Sequence, residues 1–123
     1  MVRKVLYVED DPAQRELMTQ LLMLEGIEVK LAKNGAEGMT MAQTWQPDII
    51  LMDLRMPQMD GFESIQQIKE HGATSDIPVV VVSAWTSAAH DERALALGAD
   101  SILSKPFGLT DIVALINRYK TRA

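Results

Sequence analysis

Residues 5–14 read VLYVEDDPAQ, so four apolar residues run straight into three carboxylates, Glu9, Asp10 and Asp11. Two carboxylates about 5 Å apart at an effective dielectric near 20 repel by roughly 3 kcal/mol. A fold accepts that when the charges point into water or when a cation sits among them. Three more short apolar runs end on groups that could complete such a site: Asp53, Ser83 and Lys105. Carboxylates without a Cys or His cluster suit a hard divalent cation, Mg²⁺ above all. An ionised carboxylate can also attack phosphorus and give an aspartyl phosphate. That anion needs a metal and a cationic side chain to hold its charge. Asp10 is therefore a candidate metal ligand, Asp53 a candidate nucleophile and Lys105 a candidate counter-charge. Ser83 could hydrogen-bond the phosphoryl group. Singly, each has an ordinary use: Asp11 and Asp53 as caps, Glu9 and Asp10 in a solvated loop, Ser83 as a strand-end hydroxyl, Lys105 as a surface lysine. Their joint placement carries the reading.

The elements that must position them follow from hydrophobic periodicity. VLYV (5–8), DIILMD (48–53), IPVVVVS (77–83) and SILS (101–104) predict strands. The middle two are apolar without alternation, as in parallel strands covered on both faces. IEVKLA (27–32) alternates and predicts an edge strand. Helices fall between. Asp11 caps and Pro12 opens the first, whose apolar residues Ala13, Leu17, Met18, Leu21 and Leu22 lead to a stop at Gly26. Residues 35–45 form the second, with Met39 and Ala42 inward and Gly38 as a weak point. Asp60 caps a third, carrying Phe62, Ile65 and Ile68 and closing at Gly72. An alanine-rich fourth spans 87–97, and a fifth carries Leu109, Ile112, Val113 and Ile116. Arg118, Lys120 and Arg122 at its end complement the dipole. Five βα units in alternation imply an α/β fold: a parallel sheet with right-handed crossovers and helices on both faces. Ligands then bind beyond the carboxyl ends of the strands, where the candidate residues lie.

At 123 residues, 47% of them hydrophobic, the chain makes one domain with a real core. The absence of cysteine excludes disulfides and thiolate metal sites. No signal peptide or run of about 20 apolar residues is seen, so a cytoplasmic protein without a membrane segment is expected. A net charge of −5 argues against direct nucleic-acid binding. His71 and His90, in polar surroundings, are expected at the surface.

VEDD (8–11), LMDLRMPQMDG (51–61), VVVVSA (79–84) and LSKPF (103–107) together resemble the receiver domain of two-component response regulators. The resemblance covers residues 1–123. It implies a doubly wound, flavodoxin-like (βα)5 fold with strand order 2-1-3-4-5. It also implies that Asp53 is the phosphoacceptor and shares the metal site. Asp10 would ligate Mg²⁺ directly, Glu9 mainly through water, and the Arg55 backbone carbonyl would be a further ligand. Ser83 and Lys105 would hold the phosphoryl group, with the backbone amides of Leu54 and Ala84. Lys105–Pro106 would be cis, and Pro57 and Gly61 would shape the loop after Asp53. The family often has an aromatic three residues before the lysine; here Ile102 stands there, so an aromatic rotamer swing cannot serve as the switch. Arg55 and Trp85 flank the site by position, and Trp85 could cover the phosphoryl group and slow its hydrolysis. Trp45 is expected to pack at a helix end.

The function so implied is a phosphorelay switch. A histidine kinase or histidine phosphotransfer protein supplies the phosphoryl group, and phosphorylation changes contacts with a downstream protein or within a homodimer. Such a domain catalyses only its own phosphorylation and dephosphorylation. The chain is either a single-domain regulator or a fragment. Two alternatives remain open. One is an unphosphorylated receiver-like interaction module, to which Ile102 lends some weight and against which the intact set of Asp10, Asp53, Ser83 and Lys105 counts. The other is an aspartyl-phosphate phosphatase of the haloacid dehalogenase type; that class has a second Asp two residues after the first, where this chain has Arg55. A flavodoxin-like nucleotide binder fits less well, because the first βα loop is acidic where a phosphate wants backbone amides.

Overall fold

Successive residues of the central strands face opposite helix layers, which explains their unbroken apolar character. The computed structural model describes residues 2–54, 61–84 and 87–119. The strands are β1 (Lys4–Val8), β2 (Glu28–Ala32), β3 (Ile49–Met52), β4 (Val79–Ser83) and β5 (Ser101–Ser104). Between and after them come α1 (Pro12–Met23), α2 (Gly35–Trp45), α3 (Gly61–Glu70), α4 (Ala88–Ala96) and α5 (Leu109–Ile116). All pairings are parallel, in the order β2-β1-β3-β4-β5. Leu6, Val8, Ile50, Met52, Val79 and Val81 pack with α2, α3 and α4 through Ala42, Phe62, Ile65, Ile68 and Ala94. Val5, Tyr7, Ile49, Leu51, Val80 and Val82 pack with Met18 and Leu22 of α1 and Ile112, Leu115 and Ile116 of α5. β2 alternates in burial and lies at an edge, as its pattern predicts.

Carboxylates fasten the far end of the sheet. Asp48 Oδ2 accepts from the amides of Arg3 and Lys4, both at 2.9 Å. Asp100 Oδ2 accepts from the Val79 amide at 2.8 Å and from Lys69 Nζ at 3.1 Å. Trp45 ends α2 and packs against the core, with the ammonium groups of Lys4 and Lys30 5.1 and 4.9 Å from its ring.

Several local expectations change. α1 stops at Met23, and a turn leads to Gly26 at φ +72°. Only Met18 and Leu22 of that helix are buried; Leu17 is 49% exposed. The stripe is narrower than the apolar count because α1 covers only one edge of its sheet face. Gly38 is no weak point: a Cβ there would lie 2.8 Å from Val8 Cγ2, so the glycine lets α2 lie close on β1. His71 is exposed, but His90 is half-buried, its ring centroid 6.0 Å from that of Phe62. Asp60, Pro57, Lys120 and Arg122 lie outside the described residues.

Candidate functional site: an acidic rim with a half-buried lysine

The site is built where the ladders run out. The Glu9 amide donates to Ala32 O at 2.9 Å and the Asp53 amide to Val8 O at 3.1 Å, carrying the β1–β2 and β1–β3 ladders one residue past the strands. Ser83 ends β4, and its carbonyl accepts from the Lys105 amide at 3.1 Å. Register therefore places Glu9, Asp53, Ser83 and Lys105 along one rim. Asp11 leaves the rim to cap α1, accepting from the Ala13 amide at 2.9 Å. Arg15 Nη1 reaches back to the carbonyls of Glu9 and Asp10 at 3.0 and 2.9 Å, fixing the acidic turn.

Carboxylate oxygens of Glu9, Asp10 and Asp53 lie within 4.8 Å of one another. Asp10 is exposed, whereas Glu9 and Asp53 are 1% and 7% exposed. An all-oxygen donor set at that spacing suits a hard divalent ion that keeps some of its water. Lys105 Nζ lies 2.6 Å from Glu9 Oε1 and 3.8 Å from Asp53 Oδ2. Glu9 Oε1 also accepts from the Tyr7 hydroxyl at 3.1 Å, and Glu9 Oε2 from the Asp11 amide at 3.4 Å.

Burial, then the contact with Asp53, raises the Glu9 pKa against the pull of Lys105. Loss of water, then the neighbouring Glu9, raises that of Asp10. The phenol of Tyr7 is pushed far above its ordinary value, by burial first and by the Glu9 charge second. It is a donor at any working pH.

Four of the residues singled out from the sequence for chemistry, Glu9, Asp10, Asp53 and Lys105, thus meet in one cluster. Ser83 is 1% exposed at the end of the neighbouring strand, with Ala84 exposed after it and Leu54 fully buried after Asp53. Ile102 sits in β5, half-buried against the α2–α3–α4 core. Lys105–Pro106 is cis. A Cβ on Gly61 would lie 2.5 Å from both Asp53 O and Leu54 Cα, so close approach explains that glycine. Arg55 and Trp85 lie outside the described residues. Sequence reasoning missed Tyr7 and Arg15. The signal for Tyr7 was present: residues two apart on a strand share a face, so YVE places the phenol beneath the carboxylate.

Comparison with known proteins points the same way. A family model described as the response regulator receiver domain matches residues 5–117. The DNA-binding dual master transcriptional regulator RpaA of Synechocystis is 34% identical over 113 residues, covering 92% of this chain and 47% of that protein. Response regulator MprA of Mycobacterium leprae is 36% identical over 113 residues, covering 92% and 49%. The chain thus spans about half the length of the curated relatives it matches. Among solved structures, Vibrio cholerae chemotaxis protein CheY4 superposes with a TM-score of 0.90 at 29% identity, covering 98% of this chain and all of that one. The receiver domain of sensor histidine kinase PA1611 from Pseudomonas aeruginosa, with a magnesium ion coordinated in its active-site cleft, gives 0.89 at 26% identity, covering 97% and 98%. With strand order, acidic rim, half-buried lysine and family model in agreement, this chain belongs to the response-regulator receiver domains.

Proposed function

We propose that residues 1–123 act as a phosphoacceptor switch in which Asp53 takes a phosphoryl group from a phosphohistidine. An Asp53 carboxylate oxygen attacks phosphorus. The P–N bond to the imidazole breaks, its electron pair stays on nitrogen, and an acyl phosphate is left on Asp53. The observation that carries this reading is the position of Asp53. Its carboxylate is nearly buried, 3.8 Å from Lys105 Nζ and within 4.8 Å of the Glu9 and Asp10 oxygens. Mg²⁺ bound there would offset the negative charge of donor and acceptor as they approach. Asp10 and Asp53 would hold it directly, with the Arg55 carbonyl, and Glu9 through water. Lys105 moves its charge toward the new phosphoryl oxygens. The Ser83 hydroxyl and the Leu54 and Ala84 amides donate to the others. Ile102 replaces the aromatic rotor, so the change passes through the Ser83 end of β4 and into α4, which buries only Ala94. A mobile output element is drawn from such lightly packed helices.

The donor is a histidine kinase or histidine phosphotransfer protein, which places the domain in the cytoplasm. The output is a contact with another protein or a second copy of the chain, and the only chemistry is the domain's own phosphorylation and dephosphorylation. Rapid-quench intact-mass analysis with acetyl phosphate and Mg²⁺ tests this. Wild type should gain one phosphoryl group and Asp53→Asn none. An unchanged wild-type mass would favour the interaction-module reading instead. Size exclusion with and without beryllofluoride, run alongside, reads whether the switch changes assembly.

A further inference from the structure

We propose that Tyr7 is a positioning residue for the metal site: its hydroxyl orients the Glu9 carboxylate in the resting site and remains its donor when Lys105 turns to the phosphoryl group. The proposal rests on the phosphoacceptor reading for the motion of Lys105, but not for the contact itself.

Glu9 Oε1 has two donors, Lys105 Nζ at 2.6 Å and the Tyr7 hydroxyl at 3.1 Å. The same ammonium is 3.8 Å from Asp53 Oδ2. It is therefore committed to Glu9 at rest. It can neutralise a phosphoryl oxygen on Asp53 only by giving up part of that hold. A carboxylate that is 1% exposed would then lose its strongest partner with no bulk water to replace it. Tyr7 supplies the donor that stays on Oε1, while the longer contact from the Asp11 amide at 3.4 Å serves Oε2.

The phenol is well suited to remain. It lies in β1, between β2 and β3, opposite Leu31 and Leu51 in the two registers. It is fully buried in the cluster with Met18, Leu22, Ile112 and Leu115. Packing on that scale fixes the ring, so the hydroxyl presents itself one pleat below the carboxylate at constant height. Phenylalanine would fill the same space. The oxygen is the one atom of the side chain that the core does not require, and Glu9 is its hydrogen-bond partner. Groups that orient a direct metal ligand typically change metal affinity by about 10- to 100-fold when removed; Glu9 acts through water, so the lower end of that range applies to Tyr7.

Tyr7→Phe deletes that oxygen alone. Tyr119→Phe is the control: its hydroxyl makes a 2.8 Å hydrogen bond to Ser101 Oγ, away from the acidic rim. Titration calorimetry of the metal-free proteins with Mg²⁺ is the primary readout. Tyr7→Phe should raise the dissociation constant about tenfold, while Tyr119→Phe leaves it at the wild-type value. In a Glu9→Asp background, where the shorter carboxylate withdraws from the phenol, Tyr7→Phe should have no further effect. A wild-type constant for Tyr7→Phe, an equal loss in Tyr119→Phe, or an undiminished effect beside Glu9→Asp would each overturn the proposal. The phosphoacceptor reading fails separately, by an unchanged wild-type mass with acetyl phosphate, and the calorimetric comparison still decides the role of Tyr7.

Discussion

Lys105 binds Glu9 and Asp53 unequally, at 2.6 and 3.8 Å, and that inequality sets the electrostatics of the resting site. One ammonium cannot neutralise three carboxylates, so burial and the neighbouring carboxylates outweigh its pull even on Glu9. Glu9 and Asp10 are both raised above their ordinary values. The folded protein therefore holds their protons more tightly than the unfolded chain does. In the window opening near the ordinary carboxylate values, about 4, and extending upward, the native state binds more protons. Stability contributed by these groups is then present at the acid end and lost as pH rises through the window. Glu9→Gln removes the larger buried member. Without Mg²⁺, the stability of Glu9→Gln relative to wild type should grow as pH is raised through that window, as read by urea denaturation at each pH. A difference that shrinks with rising pH would contradict the assignment. None of this unequal sharing was legible in the sequence. It named Glu9, Asp10, Asp53 and Lys105, but not which carboxylate Lys105 prefers.

At the scale of elements, legibility depended on whether a signal was local. β1, β3 and β4 read correctly because a strand covered on both faces must be apolar throughout, and β2 because one open face forces alternation. Asp11 was read as a cap from its place before Pro12, and the structure shows it accepting from Ala13. Leu17 and Met18 both counted toward the apolar set of α1, yet one is 49% and the other 1% exposed. They lie about 100° apart around the helix, and it is Met18 with Leu22, one turn on, that packs on the sheet. His90 looked solvated among its polar neighbours, but its ring lies against Phe62 of α3, a contact 28 positions away in the chain that no local pattern carries. Gly61 shows the same dependence in a form that can be tested. Its amide donates to Leu54 O at 3.0 Å, and a Cβ would meet backbone atoms of Asp53 and Leu54 at 2.5 Å. Neither atom can turn aside as a side-chain tip would. Gly61→Ala should push the start of α3 away from the exit of β3, costing about 1–3 kcal/mol in denaturant unfolding. It should also slow labelling of Asp53, since the displaced carbonyl belongs to that residue. Wild-type stability would show that the loop absorbs the methyl group.

For the whole molecule, the parallel sheet brings the ends of β1, β3, β4 and β5 together, although Glu9 and Lys105 are 96 residues apart in the chain. This is why the site could be read from strand-ending residues once the alternation of elements was recognised. It is also why like charges can be stored there. The sheet and both helix layers hold Glu9, Asp10 and Asp53 in place, so repulsion that an unfolded chain would relieve persists in the native state. A cation that binds this cluster has no equivalent site in the unfolded chain and must stabilise the fold by mass action. At a Mg²⁺ concentration about 100 times the dissociation constant the gain is about 2.7 kcal/mol, which for a domain of this size is a rise in melting temperature of roughly 10 °C. Asp10→Asn should act twice. Removing one charge raises the melting temperature of the metal-free protein, and removing a ligand abolishes most of the further rise with Mg²⁺. Thermal melts of both proteins across a Mg²⁺ series separate the two effects. If Mg²⁺ leaves the wild-type melting temperature unchanged while the metal-free Asp10→Asn protein melts no higher than wild type, the three carboxylates are solvated independently and the rim stores no repulsion for a cation to relieve.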